Sequence, residues 1–349
     1  MKLSSFGFNL PNELIAKYPT PYREDARLMV VDRKTGKISH HKFSDIINFF
    51  TKDDVLVLNN TKVSSVYFKG YKEKTGAAIT MLLLRELDKE ERLWDTIIDP
   101  ARKIRVGNKL YFGNHDVCAE VRDNTTSRGR TISLIFDGDD QALDKTLEQL
   151  GNPPIEYILN RPAEPIDKAR YDTVYSSKKG SVISPIAGLH FSKIILKKLQ
   201  VHDIHTPEIT LHISYSNLAP LDAEDLAKYR LGDNAYEIPQ TTADIINKAL
   251  DKNKRICAVD LSTLQALETP ISSINRLKYK KGWTNKFIRP PYTTKVANAL
   301  LTNFYLPKSI PFVNTVAFGG YDLIKKKVYP TAIKEGYRFF VYGDALLIL

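Results

Sequence analysis

Ser65-Val-Tyr-Phe-Lys-Gly, Ala78-Ile-Thr-Met-Leu-Leu-Leu, Trp94-Asp-Thr-Ile-Ile, Lys109-Leu-Tyr-Phe, Val117-Cys-Ala-Glu-Val and Thr131-Ile-Ser-Leu-Ile-Phe succeed one another in a single stretch of the chain. Each is short and rich in β-branched, aromatic and aliphatic residues. Gly, Asn and Asp turns such as Phe112-Gly-Asn-His-Asp separate them. Runs of this length at this spacing predict a compact antiparallel β-barrel rather than helices. The stretch has neither helix-strand alternation nor a Gly-rich phosphate loop, which argues against a Rossmann methyltransferase.

On either side the texture is mixed. Before the barrel, Leu28-Met-Val-Val-Asp and the Lys34-Thr-Gly-Lys turn predict a strand and hairpin. Phe43 to Phe50 has helical spacing, and Asp54-Val-Leu-Val-Leu-Asn is a buried strand running into the polar loop Asn59-Asn-Thr-Lys-Val. After it, helices are expected over 190–199, 223–229, 241–250 and 322–335, and strands over 208–213, 255–259, 315–318 and 339–342. The fold class is therefore α+β, with a large discontinuous domain over 1–64 and 151–349 and a small inserted antiparallel β-barrel over 65–150.

With 349 residues, 43% of them hydrophobic, the chain can bury a sizeable core without staples. Its two cysteines, Cys118 and Cys257, lack the spacing of a zinc site, so no metal is expected. The N-terminus lacks the continuous apolar region of a signal peptide, and no run approaches the length of a membrane span. A cytoplasmic protein with no membrane partner is the expectation.

The net charge of +11 favours a polyanionic partner, and its location is specific. Between Thr269 and Tyr321 lie Arg276, Lys278, Lys280, Lys281, Lys286, Arg289, Lys295 and Lys308, with no Asp or Glu. Tyr279, Trp283, Phe287, Tyr292, Phe304 and Tyr305 are interleaved with them. That mixture suits phosphate neutralisation and stacking on unpaired bases; the competing reading is a solvated face with its aromatics turned inward.

Three short motifs could carry chemistry. Ser184-Pro-Ile-Ala-Gly-Leu-His-Phe-Ser places Gly188 before an expected helix whose first turn holds His190, where backbone N–H groups can hold an anion and a histidine can move a proton. His212 closes the alternating run Thr210-Leu-His-Ile and faces either a cleft or the core. Asp344, in the Tyr-Gly-Asp turn near the C-terminus, is an N-cap, a substrate acceptor or both.

Taken together, these pieces resemble one family, the S-adenosylmethionine:tRNA ribosyltransferase-isomerases of queuosine biosynthesis, from end to end. The resemblance rests on Leu10-Pro-Asn-Glu-Leu-Ile-Ala, Asn59-Asn-Thr-Lys-Val, Asp99-Pro-Ala-Arg-Lys-Ile-Arg-Val-Gly, Pro185-Ile-Ala-Gly-Leu-His-Phe and Thr210-Leu-His. Further along it rests on Gly282-Trp-Thr-Asn-Lys-Phe-Ile, Leu301-Thr-Asn-Phe-Tyr-Leu-Pro and Gly336-Tyr-Arg-Phe-Phe-Val-Tyr-Gly-Asp-Ala. It implies a large α/β-barrel-like domain with the inserted β-barrel.

It also implies a reaction in which the ribosyl group of S-adenosylmethionine is transferred to 7-aminomethyl-7-deazaguanine in tRNA. There it is isomerised to epoxyqueuosine, and adenine and methionine are lost. S-adenosylmethionine is then a co-substrate, tRNA the partner, and no resident cofactor is needed; a monomer is expected. Carried onto this chain, the resemblance makes His190, His212 and Asp344 the catalytic candidates. Asn59, Thr61, Lys62, Gly188, Thr302, Asn303, Tyr337 and Arg338 become the substrate-binding ones, with RNA contacts at Arg276, Lys278, Lys280, Lys281, Lys286 and Arg289.

The chain departs from the family pattern at several polar positions. Asn60 stands for Asp, and Ser214-Tyr-Ser-Asn-Leu replaces Gly-x-Gly-Thr-Phe. In Tyr229-Arg-Leu-Gly-Asp-Asn, Tyr229, Gly232 and Asn234 take the places of two histidines and a glutamate. Asp260-Leu-Ser-Thr-Leu-Gln has Gln265 for an arginine, and Tyr305 stands for His. These substitutions motivate a second reading, a paralogue that binds RNA or a nucleoside without this catalysis or with a changed substrate.

Overall fold

The structure is a computed structural model in which residues 1–217, 221 and 223–349 are described. The chain opens with β1 (Arg27–Val31) and β2 (Ile38–Lys42), the expected hairpin. Asp32 Oδ1 shapes its turn by accepting from the Lys34 and Thr35 N–H groups at 2.9 and 2.8 Å. A 3-10 turn over Phe43–Phe49 leads to β3 (Val55–Asn59), buried throughout, and to the short β4 (Thr61–Val63).

Six strands follow: β5 (Tyr67–Lys72), β6 (Ala78–Asp88), β7 (Leu93–Asp99), β8 (Lys109–Phe112), β9 (Val117–Asn124) and β10 (Gly129–Ile135). Then come helices α1 (Asp140–Leu150), α2 (Ile155–Leu159) and α3 (Pro165–Arg170), and strand β11 (Lys178–Ser181). The rest comprises α4 (Lys193–Val201), β12 (Glu208–Leu211), β13 (Asn234–Ile238), α5 (Gln240–Asp251), β14 (Ile256–Val259), α6 (Leu261–Leu267), β15 (Lys280–Thr284) and β16 (Ala299–Asn303). After these, α7 (Ile310–Gly319), α8 (Tyr321–Leu323) and α9 (Tyr329–Lys334) precede β17 (Ala345–Ile348).

Two compact units result. One comprises Met1–Lys62, Asp172–Lys178 and Ser184–Leu349, the other Val63–Tyr171 and Lys179–Ile183. In the second unit, β10-β7-β6-β5-β8-β9 close into a barrel. Alternate side chains, among them Leu110 and Phe112, Val117, Ala119 and Val121, Ile132 and Leu134, are buried, as a barrel with a filled interior requires. Helices α2 and α3 belong with this barrel, beyond the expected boundary at 150. Asn152 bridges to Tyr67, and Glu156 pairs with Lys69 at 2.7 Å.

The larger unit is built on a nine-stranded mixed sheet of order β15-β13-β12-β3-β14-β16-β17-β1-β2. Its centre reads as unbroken apolar runs, Val55-Leu-Val-Leu, Ile256-Cys-Ala-Val and Ala299-Leu-Leu, because both faces are covered. On one face Leu28, Val30, Leu56, Leu58, Cys257, Val259, Leu301 and Leu347 pack with Phe43, Ile46, Phe191, Ile195 and Leu199. Helix α6 packs against β3, β14 and β16. No helix among the described residues is long and apolar enough to cross a membrane.

Three expected elements differ. Residues 223–229 form turns rather than a helix. Asp225 is drawn into a bridge with Lys2, and the Leu3 N–H donates to the Glu224 carbonyl at 2.7 Å. Residues 315–318 lie inside α7, which Ser309 caps and in which Pro311 sits in the first turn, where its missing N–H costs nothing. Over 339–342 the chain turns, with Phe340 at φ +78°, and the strand begins only at Ala345. The departing run at Ser214 ends in Leu218, which lies outside the described residues.

Candidate active site

The sheet's directions explain why residues far apart in sequence come together. Strands β12, β14 and β3 are parallel, and β16 is parallel to β14. Their C-terminal ends, His212 after β12, Asn59 and Thr61 at β3, Asp260 after β14 and Asn303 on β16, therefore share one edge. Strand β17 runs antiparallel to β16 and β1 parallel to β17, so Asp344 and Arg27 enter at that same edge. β13 runs antiparallel to β12, which brings Asn234 there too. Loops beyond the carboxyl ends of parallel strands are where open α/β sheets hold ligands.

Two hydrogen-bonded histidines stand on this edge. His190 Nε2 lies 2.9 Å from Asn303 Oδ1. The Asn303 amide nitrogen donates to the Phe340 carbonyl at 3.2 Å, so Oδ1 is the acceptor and the imidazole carries its proton on Nε2. Nδ1 is thereby the unprotonated nitrogen. Burial pushes the His190 pKa down to about 4, against the smaller upward pull of the Asn303 bond and the Asp344 charge. The ring is thus neutral at neutral pH, not poised near it as its residue type suggests.

His212 is partly buried, with Nδ1 2.7 Å from Thr61 Oγ1, and desolvation lowers its pKa too. In the sheet order β12-β3-β14-β16, two strands lie between the one that ends at His212 and the one that carries Asn303.

A chain of hydrogen bonds spans the gap. Asn59 Nδ2 donates to the Leu211 carbonyl at 2.9 Å and to Ser262 Oγ at 3.0 Å. Its Oδ1 accepts from the Leu211 and Thr61 N–H groups at 3.0 and 3.1 Å. All four hydrogen-bonding positions of this buried amide are filled, so Asn59 positions its neighbours rather than touching substrate. Ser262 Oγ donates onward to Asp260 Oδ1 at 2.7 Å, and Asp260 Oδ2 accepts from the Ala187 N–H at 3.3 Å.

Asp260 was not among the expected site residues. It caps α6 at φ +79°, a conformation costly for a residue with a Cβ, and burial raises its carboxyl pKa. An Asp-x-Ser run after a buried strand is the signal that could have found the cap.

The 186–190 segment is a 3-10 turn, and α4 begins only at Lys193 after its Ser192 cap, so His190 is not in the helix's first turn. Gly188 is needed sterically, since a Cβ there would meet the Tyr175 hydroxyl at 2.2 Å.

Asp344 is equally occupied. Its carboxylate accepts from the Arg27 and Arg338 N–H groups at 3.0 and 2.8 Å and lies 3.5 Å from the Arg338 guanidinium. It organises a turn rather than capping a helix. Tyr337 is wholly buried, its hydroxyl 2.8 Å from His40 Nδ1 and its ring beneath Arg27. Arg338 also reaches the Tyr18 carbonyl at 3.4 Å. Lys62 is partly buried on β4. Thr302 is buried, with its hydroxyl beside that of Tyr305.

The departures at 234 and 265 meet in space, Asn234 Nδ2 donating to Gln265 Oε1 at 3.1 Å. They stand where the resemblance puts a glutamate and an arginine, and here they form a neutral amide pair.

The basic segment divides. Lys278, Lys280 and Lys281 are exposed on or beside the edge strand β15, with Tyr279 and Trp283 65% and 60% exposed. Arg276 is tied to Asp251 and the Asn247 carbonyl, and Lys286 to the Glu268 carbonyl, so both serve the fold. Arg289 is partly buried.

The model of the family described as queuosine biosynthesis protein matches residues 3–348. The chain is 52% identical over 349 residues to the S-adenosylmethionine:tRNA ribosyltransferase-isomerase of Amoebophilus asiaticus (strain 5a2), with 100% of each covered. It is 50% identical, again with full coverage of both, to the protein of that name from Cytophaga hutchinsonii. Among solved structures, the S-adenosylmethionine tRNA ribosyltransferase of Thermotoga maritima aligns with a TM-score of 0.54 and 29% identity, over 99% of this chain and 100% of that one.

Proposed function

This chain belongs to the queuosine biosynthesis protein family, and on that premise we propose that it is a working S-adenosylmethionine:tRNA ribosyltransferase-isomerase whose reaction takes place at the sheet edge between His212 and His190. The observation that carries the catalytic assignment is the His190–Asn303 hydrogen bond, which leaves Nδ1 of a neutral imidazole as the proton acceptor. A sulfonium substrate acidifies its adjacent C5′–H, and a neutral base does not repel that cation.

When His190 takes the proton at Nδ1, the Asn303 acceptor and the Asp344 charge stabilise the imidazolium, much as a buried acid supports histidine in hydrolases. His212, held by Thr61, is the second proton-transfer group, for the adenine or methionine leaving step. Thr302, buried on β16 next to Asn303 with its hydroxyl beside Tyr305, is a further substrate contact. Lys62 contacts a phosphate or the methionine carboxylate. Transfer and rearrangement of the ribosyl group balance without an external oxidant or metal, so no resident cofactor is invoked.

The tRNA is held in part by β15. Lys281 and Trp283 stand on one face of that edge strand, with Lys278 and Lys280 beside them, a pattern suited to backbone neutralisation with base stacking. The binding-only reading gains no support from Asn234 and Gln265, which are hydrogen-bonded to each other within the fold. Incubation with S-adenosylmethionine and tRNA carrying the aminomethyl base, followed by nucleoside mass analysis, tests the proposal. The expected product is epoxyqueuosine; an unchanged nucleoside would leave the binding-only reading.

A further inference from the structure

We propose that residues 100–108 of the barrel form a second, preorganised contact for the phosphate backbone of RNA, in addition to β15; this rests on the tRNA reading above. Between Pro100 and Leu110 the chain carries Arg102, Lys103, Arg105 and Lys109 and no Asp or Glu. All four are exposed, and none makes an ion pair among the described residues.

Beneath them sits Arg130, 6% exposed. Its Nε donates to the Ile104 carbonyl at 3.3 Å. Nη1 donates to Thr126 and Gly129 at 3.3 and 2.7 Å, and Nη2 to Ala101 and Ile104 at 2.7 and 3.1 Å. Every one of the five guanidinium N–H donors thus meets a main-chain carbonyl, and no carboxylate takes part.

Two consequences follow from this arrangement. The loop is fixed from below: Arg130 joins the 101–104 turn to the 126–129 turn. Further bonds lock its far end, from the Arg105 N–H to Asn108 Oδ1 at 3.0 Å and from the Gly107 N–H to the Val121 carbonyl at 2.8 Å. Lys72 Nζ also donates to the Lys103 carbonyl at 3.0 Å. In addition, a buried cation with no counterion among the described residues raises the positive potential under a row of exposed cations. A rigid loop of this kind binds polyanions at low ordering cost.

The ligand is a polyphosphodiester rather than a protein carboxylate surface, because the cations are spread along the loop instead of converging on one point and the established substrate class of the family is tRNA. Arg130 acts here as a positioning residue.

The test is the triple variant Arg102→Glu, Lys103→Glu, Arg105→Glu in the full chain, with affinity for a fluorescently labelled, unmodified tRNA transcript measured by anisotropy across a salt series. We expect affinity to fall about tenfold or more near 0.1 M salt and the log–log salt slope to flatten by about 2, since each phosphate contact contributes about 0.9. S-adenosylmethionine binding by calorimetry should stay unchanged. Arg130→Lys keeps the charge but offers three donors where five now reach four carbonyls; it should raise KM for tRNA while kcat and KM for S-adenosylmethionine stay within about twofold. If Arg130→Lys does not fold, the triple variant, whose three sites are all exposed, decides. A triple variant with wild-type affinity and slope overturns the proposal, whereas a wild type that binds no tRNA at all overturns the reading beneath it.

Discussion

Asn303 fixes the tautomer of His190: its Oδ1 accepts the Nε2–H at 2.9 Å because its amide nitrogen is committed to the Phe340 carbonyl. Replacing Asn303 with Asp puts a formal negative charge 2.9 Å from the ring and should raise the His190 pKa well above about 4, toward the ordinary value near 6.5. Histidine titration by NMR reads that shift. The acid limb of the pH–rate profile should move up with it, at a cost of about 1–3 kcal/mol in stability for the abandoned Phe340 carbonyl. A His190 resonance unmoved by Asn303→Asp would remove the pairing from the account.

Stability should depend on pH through the same ring. Its folded pKa, about 4, lies below the unfolded value near 6.5, so between those limits the unfolded chain binds more protons. The stability of the neutral ring is complete above about pH 6.5 and is lost as pH falls toward 4, by up to roughly 3 kcal/mol. Denaturant unfolding from pH 7 to 4.5 should show this loss in the wild type and a flatter profile in His190→Gln.

The saturated amide of Asn59 makes a different demand. Asn59→Leu is close to isosteric but strands the Leu211 N–H and carbonyl and the Thr61 N–H, and removes one of the two bonds of Ser262 Oγ. Unfolding free energy should fall by about 3 kcal/mol or more. Retained stability, with loss confined to KM for S-adenosylmethionine, would instead make Asn59 a direct substrate contact.

How far the sequence was legible follows from these residues. The barrel could be read because each strand from Ala78 to Phe136 carries its own alternation and turn, which is local information. Helix α7 was missed because Val316-Ala-Phe is apolar all round and fits either element. At the site, the motifs named His190, Asn303, Thr61 and His212 but could not say that they pair two by two, since pairing depends on the order of strands in the sheet. Burial is likewise non-local. Nothing in the Gly-Leu-His run announces a ring whose pKa is pushed down to about 4, nor does Glu335-Gly-Tyr-Arg announce that Asp344 will be spent on the Arg27 and Arg338 N–H groups.

On the edge strand, reversing Lys278, Lys280 and Lys281 to Glu should weaken tRNA binding and flatten its salt dependence by about 2–3 in log–log slope. Trp283→Ala should cost about 5- to 100-fold in affinity through lost stacking, with little change in stability because the ring is exposed. Anisotropy titration and thermal unfolding of the same samples check both. Unchanged binding at low salt would return these lysines to a solvated face.

The most direct measurement is adenine release in a single turnover with S-adenosylmethionine and tRNA bearing the aminomethyl base, run on the wild type and on His190→Ala confirmed folded by its unfolding transition. The account predicts release by the wild type only in the presence of that tRNA, and a loss of at least about 100-fold in the variant, the scale of a positioned proton-transfer group. A wild type that binds S-adenosylmethionine without releasing adenine, or a His190→Ala variant that releases it at the wild-type rate, would contradict it.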